Sequence, residues 1–298
     1  MFKKVVIADR LAFYVNTVYN NPAGYNGVVF IIATVFFAYQ IYCDFSGYTD
    51  IAIGAAQVMG FRLMDNFNRP YFSKSVSEFW RRWNISLSSW FRDYLYIPLG
   101  GSRVVQWRWY HNLLVTFLVS GLWHGANWTY IIWGALNGIY IICGIASYGI
   151  RKRVVEIFGL NKVPRFHEYL KILFMFSLIC FAWIFFRANT TQDAFYIVSH
   201  LFVGVGQFLA NLAHITSLDQ LNNALTPVWI GQPSSKFIIA IAAIIFLEII
   251  HSVQRHETIR HMLAEKPWYI RWAAYYGIIM SILYFGVFND SPFIYFQF

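Results

Sequence analysis

The sequence predicts an all-α polytopic transmembrane protein. Of its 298 residues, 58% are hydrophobic and only 12% are charged, whereas a typical soluble domain carries about 25% charged residues. A single run from 109 to 150 contains no charged residue at all. Long uncharged apolar runs indicate membrane-spanning helices rather than an unusually large soluble core.

The basic residues are concentrated in short segments between the apolar runs. The net charge is +9, and Lys and Arg gather in segments 62–108, 150–171 and 253–271, whereas segment 188–235 contains neither. This alternation follows the positive-inside rule, so we expect the three basic segments to be cytoplasmic and segment 188–235 to be extracytoplasmic. The same distribution argues against nucleic acid as a partner.

The apolar runs predict the positions of the individual membrane spans. We expect spans near 28–43, 45–61, 109–122, 128–149, 171–187, 236–252 and 271–288. The third has about 14 residues, roughly 21 Å at 1.5 Å per residue. Because that length cannot cross a hydrocarbon core of ~30 Å, we expect this helix to end within the membrane, close to His124.

An aromatic and basic stretch follows Pro70 and ends before Pro98. Phe79, Trp83, Leu87, Trp90 and Tyr94 recur at steps of three or four and would share one face of a helix. Such a helix either lies in the membrane interface or re-enters the membrane and lines a cavity. The spacing leaves both readings open.

His124 is the first candidate for chemistry. It lies in Ser120-Gly-Leu-Trp-His-Gly-Ala-Asn127, in the middle of the uncharged run. A structural histidine bonded to a neighbouring carbonyl is the simple alternative. However, an ionisable ring at membrane depth is costly and marks a functional site. We expect Trp123, Trp128 and Asn127 to surround the ring, and a neutral imidazole there can accept a proton from a hydroxyl.

Two acids and one amide are weaker candidates. Asp44 and Asp50 flank Phe45-Ser-Gly-Tyr-Thr49, and we favour Asp44 as a helix cap paired with an Arg over a role in transport. Asn84 is either an ordinary helix residue or an amide that orients a reacting group. No histidine or cysteine pattern has metal-ligand spacing, so we predict no metal and no bound cofactor.

Five motifs together resemble the membrane-bound O-acyltransferase family. They are Asp44-Phe-Ser-Gly-Tyr-Thr-Asp50, Asn68-Arg-Pro-Tyr71, Phe79-Trp-Arg-Arg-Trp83, Trp90-Phe-Arg-Asp-Tyr-Leu-Tyr-Ile-Pro-Leu-Gly-Gly101 and Ser120-Gly-Leu-Trp-His-Gly125. The similarity extends from Phe2 to the aromatic tail, and it is greatest to the bacterial alginate O-acetyltransferase branch. It implies a helical bundle with re-entrant or interfacial helices around a central tunnel, in one domain spanning 1–298 that lacks the N-terminal spans of longer relatives.

The resemblance also implies chemistry. His124 matches the family's catalytic histidine, and Asn84 matches a second position that is His in the alginate and D-alanyl branches. Because Asn cannot act as a base, an orienting role is what remains for Asn84. We expect the substrate path to be lined by Trp83, Ser86, Trp90, Arg92, Asp93, Trp123, Asn127 and Asp44.

The expected reaction is acetyl transfer to hydroxyls of an exported polysaccharide, in the inner membrane of a bacterium. The donor would be acetyl-coenzyme A or another acyl thioester. The partners would be membrane lipid, the polysaccharide acceptor and an extracytoplasmic protein that completes the transfer. Three alternatives remain: D-alanyl or other acyl transfer to a cell-wall polymer, a transporter with a proton relay through Asp44, Asp50 and His124, and a non-catalytic scaffold subunit.

Overall fold

The computed structural model describes residues 1–254, 259–288 and 293, and within these ranges every regular element is helical. In chain order the α-helices are α1 (Asp9–Tyr19), α2 (Val28–Val58), α3 (Val76–Trp80), α4 (Ile85–Phe91), α5 (Gln106–His124), α6 (Trp128–Ala146), α7 (Tyr148–Ile157), α8 (Pro164–Arg187), α9 (Thr191–His200), α10 (Val205–Ala213), α11 (Leu218–Leu225), α12 (Ser234–Val253), α13 (Ile259–Ala264) and α14 (Trp268–Phe285). The predicted all-α class is confirmed.

The number of membrane helices supports the predicted multi-pass class. Among the described residues, α2, α6, α8 and α12 are long and apolar enough to cross a membrane. The pair α9 and α10, bent by 41° at a short break, would make a fifth span if it crosses as one unit. The predicted re-entrant helices, the central tunnel and the orientation stay predictions.

The chain folds as two compact units. The first contains Met1–Ala55 and the described residues from Tyr196 onward, and the second contains Ala56–Phe195. The single domain expected over 1–298 stays a prediction.

Helix α2 differs from the prediction. Spans 28–43 and 45–61 were expected to be separate, but Val28–Val58 is one helix of 31 residues, about 46 Å at 1.5 Å per residue. Asp44 therefore does not cap a helix, since it lies in the interior of α2, 2% exposed. Its ion-pair partner is Lys4 rather than the expected Arg.

A buried ion cluster in the first unit explains how α2 can run through Asp44. The Lys4 ammonium lies 2.6 Å from the Asp44 carboxylate and 2.9 Å from that of Asp9. Both acids are buried, and burial raises the pKa of the Asp9 carboxyl above its ordinary value. A buried charge is tolerated only when it is paired, so Lys4 offsets the cost of placing two carboxylates in an apolar helix pair. Lys3 makes a second, more exposed ion pair with Asp50 at 2.7 Å.

In the second unit, glycines bring α5 and α6 together. A Cβ atom added to Gly121 would lie 2.3 Å from the Tyr130 carbonyl oxygen, and one added to Gly134 would lie 2.3 Å from that of Phe117. Both distances are far below van der Waals contact. Small residues allow membrane helices to approach at backbone distance, so these two glycines fix the hairpin that carries His124.

Helix α5 is longer than predicted. It has 19 residues, about 28 Å at 1.5 Å per residue, because it extends beyond both ends of the predicted span, from Gln106 to His124. The predicted length of about 14 residues is therefore wrong. Because about 28 Å is still shorter than a hydrocarbon core of ~30 Å, the end of this helix within the membrane stays a prediction. Its end at His124 agrees with the prediction.

The aromatic and basic stretch is not one amphipathic helix. It forms α3, a turn, α4 and a π-helical turn at Arg92–Tyr96. Asn84 interrupts it with a left-handed backbone, φ 42° and ψ 59°, a conformation that Asn tolerates better than other non-glycine residues. As a result Trp83 is fully buried, whereas Trp90 and Tyr94 are exposed.

Replacing Gly134 with Ala should destabilise the α5–α6 hairpin. The new methyl would meet backbone atoms, which cannot move away as a flexible side chain can, and overpacking of this kind costs about 1–3 kcal/mol. Gly144→Ala on the same helix is the matched control, since a Cβ there has open space. Thermal unfolding in detergent should give a lower midpoint for Gly134→Ala only. Equal midpoints for the two variants would contradict the packing account.

Lys4→Met should destabilise the protein strongly, since it removes the ammonium that pairs with two buried carboxylates. Breaking a buried ion pair by removing one partner costs about 3–5 kcal/mol. The matched control Lys3→Met removes a pair whose Asp50 side chain is 57% exposed, and should cost about 1 kcal/mol or less. The double change Lys4→Met with Asp44→Asn should recover part of the loss. The stability of each variant is measured by thermal unfolding. If Lys3→Met lost as much stability as Lys4→Met, the stabilising role of the buried ion cluster would be contradicted.

Candidate active site

His124 is the last residue of α5, and its position depends on the turn that follows. The residue is 9% exposed. A Cβ added to Gly125 would lie 2.8 Å from the Tyr130 ring, so the chain needs a residue without a side chain directly after the histidine. The absence of a Cβ there lets Tyr130 pack against the end of the helix.

Aromatic rings surround the imidazole. The His124 ring meets those of Trp123, Trp133 and Phe186 edge to face, with centroids 5.0, 5.1 and 5.0 Å away. The Tyr130 ring lies at 6.3 Å. Edge-to-face packing at these distances is favourable and directional. Residues from α5, α6 and α8 therefore fix the plane of the imidazole.

A second layer of aromatic rings supports the first. Trp133 stacks on Trp183 with centroids 6.0 Å apart and an interplanar angle of 18°, and Trp183 contacts Trp83 at 5.4 Å. Trp83 directly precedes Asn84. Two ring contacts thus separate Trp83 from Trp133, which touches the histidine.

One buried amide ties α3 to this cluster. Asn137 is 1% exposed on α6. Its Oδ1 accepts a hydrogen bond of 3.1 Å from Trp80 Nε1, and its Nδ2 donates to the Trp133 carbonyl at 2.9 Å. Trp80 also meets the Trp133 ring at 5.6 Å. The amide therefore satisfies the indole N–H of Trp80 within an otherwise apolar layer.

Asn84 is a buried residue whose side-chain amide makes no hydrogen bond to the described residues. It is 6% exposed, and it precedes α4 without a capping bond from its side chain. The cap function is filled by Asn66, whose Oδ1 accepts from Ser86 N at 3.0 Å and whose carbonyl accepts from Ile85 N at 3.0 Å. Within the described part of the chain, the Asn84 side chain makes no hydrogen bond, so its amide can donate to a bound group.

The other predicted site residues have varied positions. Trp83 is buried in the aromatic cluster, and Ser86 is half-buried in the first turn of α4. Trp90 is 52% exposed, and Arg92 and Asp93 form an exposed ion pair at 2.7 Å. Trp123 touches His124 but is 56% exposed. Their roles in binding substrate stay predictions.

Asn127 and Asp44 have structural partners. The Asn127 Oδ1 accepts from Thr129 N at 3.1 Å, so this residue caps α6, and its Nδ2 donates to the Asn189 carbonyl at 3.4 Å. Asp44 belongs to the first unit and pairs with Lys4. Their place along a substrate path stays a prediction.

Sequence reasoning missed most of the rings around His124. Trp128 was expected beside the ring but is 70% exposed, and Trp133, five residues further along α6, takes that place. Phe186 and Trp183 come from α8, which no local spacing connects to residue 124. Among the described residues, no three His, Cys, Asp or Glu side chains group as metal ligands.

Comparison with known proteins identifies the family of this chain. Residues 3–192 match the model of MBOAT, the membrane-bound O-acyltransferase family. The probable alginate O-acetylase of Pseudomonas aeruginosa is 44% identical over 220 residues, which cover 72% of this chain and 40% of that protein. The peptidoglycan O-acetyltransferase of Helicobacter pylori is 33% identical over 301 residues, covering the whole of this chain and 55% of that protein.

A more distant relative has a different named activity. The teichoic acid D-alanyltransferase of Bacillus subtilis is 30% identical over 195 residues, covering 60% of this chain and 47% of that protein. The chain thus spans about half the length of these relatives. The match over residues 3–192 includes Asn84 and His124, and His124 also lies in one of the five motifs. On this ground the chain belongs to the membrane-bound O-acyltransferase family.

Proposed function

We propose that this protein transfers an acetyl group to hydroxyls of an exported polysaccharide, with His124 as general base. The observation that carries the proposal is the buried His124 ring, held edge to face by Trp123, Trp133 and Phe186 in a chain of this family. The names of the alginate and peptidoglycan relatives support an acetyl group and a polysaccharide acceptor.

The chemical step needs one base and one hydrogen-bond donor. A neutral His124 nitrogen takes the proton of the acceptor hydroxyl as the hydroxyl oxygen attacks the acyl carbonyl carbon. The carbon–sulfur bond of an acyl thioester then breaks, and the proton passes from the imidazolium to the leaving thiolate. A positioned base contributes about 10²–10⁴-fold to such a reaction. The fixed ring plane keeps the imidazole in one orientation, so less reorganisation precedes attack.

Asn84 has the second role. Its buried amide has no hydrogen-bond partner in the described ranges, and in this proposal it donates to the carbonyl oxygen that gains negative charge during attack. A donor fixed in a water-poor site stabilises that charge more than it would in water. An amide cannot take a proton, so a single base carries the mechanism.

The proposal also includes an acyl donor and partner molecules. Segment 62–108 is basic and would attract the phosphates of acetyl-coenzyme A at the cytoplasmic side. The acceptor would be reached in the bacterial inner membrane directly or through an extracytoplasmic transfer protein. D-alanyl transfer to a cell-wall polymer is the second candidate, since a teichoic acid D-alanyltransferase is among the relatives.

His124→Gln should abolish transfer while the fold is kept, because Gln retains polarity and similar bulk but has no basic nitrogen. In cells that carry the variant, ester-linked acetyl groups on envelope polysaccharide should fall about 100-fold or more. Mass spectrometry of the glycan measures the loss and also distinguishes acetyl from D-alanyl esters. His214→Gln, at an exposed position, is the matched control and should leave the ester content unchanged. A folded His124→Gln protein with normal ester content would refute the general-base role.

Asn84→Gly and Asn84→Ala separate the amide from the backbone. Glycine adopts the left-handed conformation without strain, so Asn84→Gly should keep the unfolding midpoint and lower the transfer rate about 10²-fold by losing one donor. Asn84→Ala should lose the same activity and about 1–2 kcal/mol of stability as well. Ester content and thermal unfolding are measured together. Full activity in Asn84→Gly would leave the residue with a purely conformational role.

A further inference from the structure

A cavity in the first unit has no part in the proposed chemistry. Its volume is about 140 Å³, close to that of cavities that hold a benzene-sized group. Five aromatic side chains contribute to its wall: Phe13, Tyr14, Phe36, Trp229 and Phe237. Gln232 adds an amide, and Arg10 and Lys236 add two positive charges.

The charge of the cavity is not balanced by the residues that line it. Its one carboxylate, that of Asp9, is already 2.9 Å from the Lys4 ammonium. Within the described ranges neither Arg10 nor Lys236 forms an ion pair, and the hydrogen bond of Arg10 runs from Nη2 to the Phe285 carbonyl at 2.5 Å. Two cations of the cavity wall therefore have no anionic partner among the described residues.

Two buried polar atoms in the wall also lack hydrogen-bond partners among the residues that the structure describes. The Tyr14 hydroxyl and the Arg10 Nε atom are buried, and in the described part of the chain neither makes a hydrogen bond. Tyr14 is only 5% exposed, and its ring packs on Phe36 at 5.0 Å and on Phe237 at 6.0 Å. Buried donors without partners are costly, so a bound acceptor would supply what the protein lacks.

We propose that this cavity binds a phosphate group, with Arg10 and Lys236 as its cationic ligands and Tyr14 as a hydroxyl donor. Arg is suited to phosphate because its planar guanidinium donates in a fork. Phe13, in the aromatic wall, is 50% exposed. An apolar wall that reaches the surface suits the apolar part of an anionic phospholipid better than a hydrated free ion. The site does not depend on His124, so it can be present whether or not the proposed reaction is correct.

Binding to the purified protein in detergent tests the proposal. The probes are short-chain phosphatidylglycerol, short-chain phosphatidylcholine and inorganic phosphate, with affinity measured by native mass spectrometry and by the rise in unfolding midpoint. We expect phosphatidylglycerol to bind at least tenfold more tightly than phosphatidylcholine. Lys236→Gln should lower the affinity for phosphatidylglycerol about tenfold. The control Lys266→Gln changes an exposed lysine outside the cavity and should leave that affinity unchanged.

The sources of phosphate give different results. If inorganic phosphate alone raises the midpoint, and Lys236→Gln removes that rise, the site takes free phosphate, which supports phosphate recognition and rejects the lipid as its source. Equal affinity for the two lipids without any effect of inorganic phosphate would overturn the proposal. The proposal would also be overturned if Lys236→Gln and Lys266→Gln lowered phosphatidylglycerol affinity equally, since the lipid would then respond to the general surface charge.

Tyr14→Phe tests the hydroxyl without removing the ring. Because the hydroxyl has no partner in the described residues, the midpoint of the lipid-free protein should stay the same or rise, while phosphatidylglycerol affinity falls about threefold or more. Arg10→Gln should also weaken binding, but it breaks the bond to Phe285 as well. A lower lipid-free midpoint with unchanged affinity in Tyr14→Phe would assign the hydroxyl a structural role.

Discussion

Two glycines hold α5 and α6 at backbone distance, and the position of His124 depends on that contact. Gly121 lies against the Tyr130 carbonyl, and Gly134 lies against that of Phe117. At this separation the end of α5 comes close enough for the imidazole to meet Trp133 edge to face. A wider hairpin would leave room for lipid or water between ring and wall, and the plane of the imidazole would no longer be fixed.

The helical class follows from composition, but the helix ends depend on contacts between distant parts of the chain. The presence of Asp44 led us to predict two separate helices, since an acid inside an apolar helix is costly. Lys4 removes that cost through an ion pair, and because the two residues are 40 positions apart, no local pattern reveals the pairing. Asn84 shows the opposite case, where an intact helical periodicity is interrupted by a left-handed backbone.

The site could be predicted in part. His124 stands out because an ionisable ring within 42 uncharged residues needs an explanation, and Trp123 follows from adjacency. Phe186 and Trp183 reach the site from α8, so they depend on how three helices pack, which hydrophobic periodicity does not specify. Asn137 offered a usable signal, since a buried amide in an apolar helix requires partners, and those are Trp80 and the Trp133 carbonyl.

The two units tolerate ionisable groups in different ways, and the difference bears on function. A carboxylate cannot be buried as an ion without a cation, so Asp9 and Asp44 are held by Lys4. An imidazole can be buried neutral, and His124 is packed among rings that have no formal charge. Asp44, bound to an ammonium, is poorly suited to pass protons along a relay, which weakens the transporter alternative. A neutral imidazole beside aromatic walls remains able to accept a proton from a hydroxyl, and this favours group transfer.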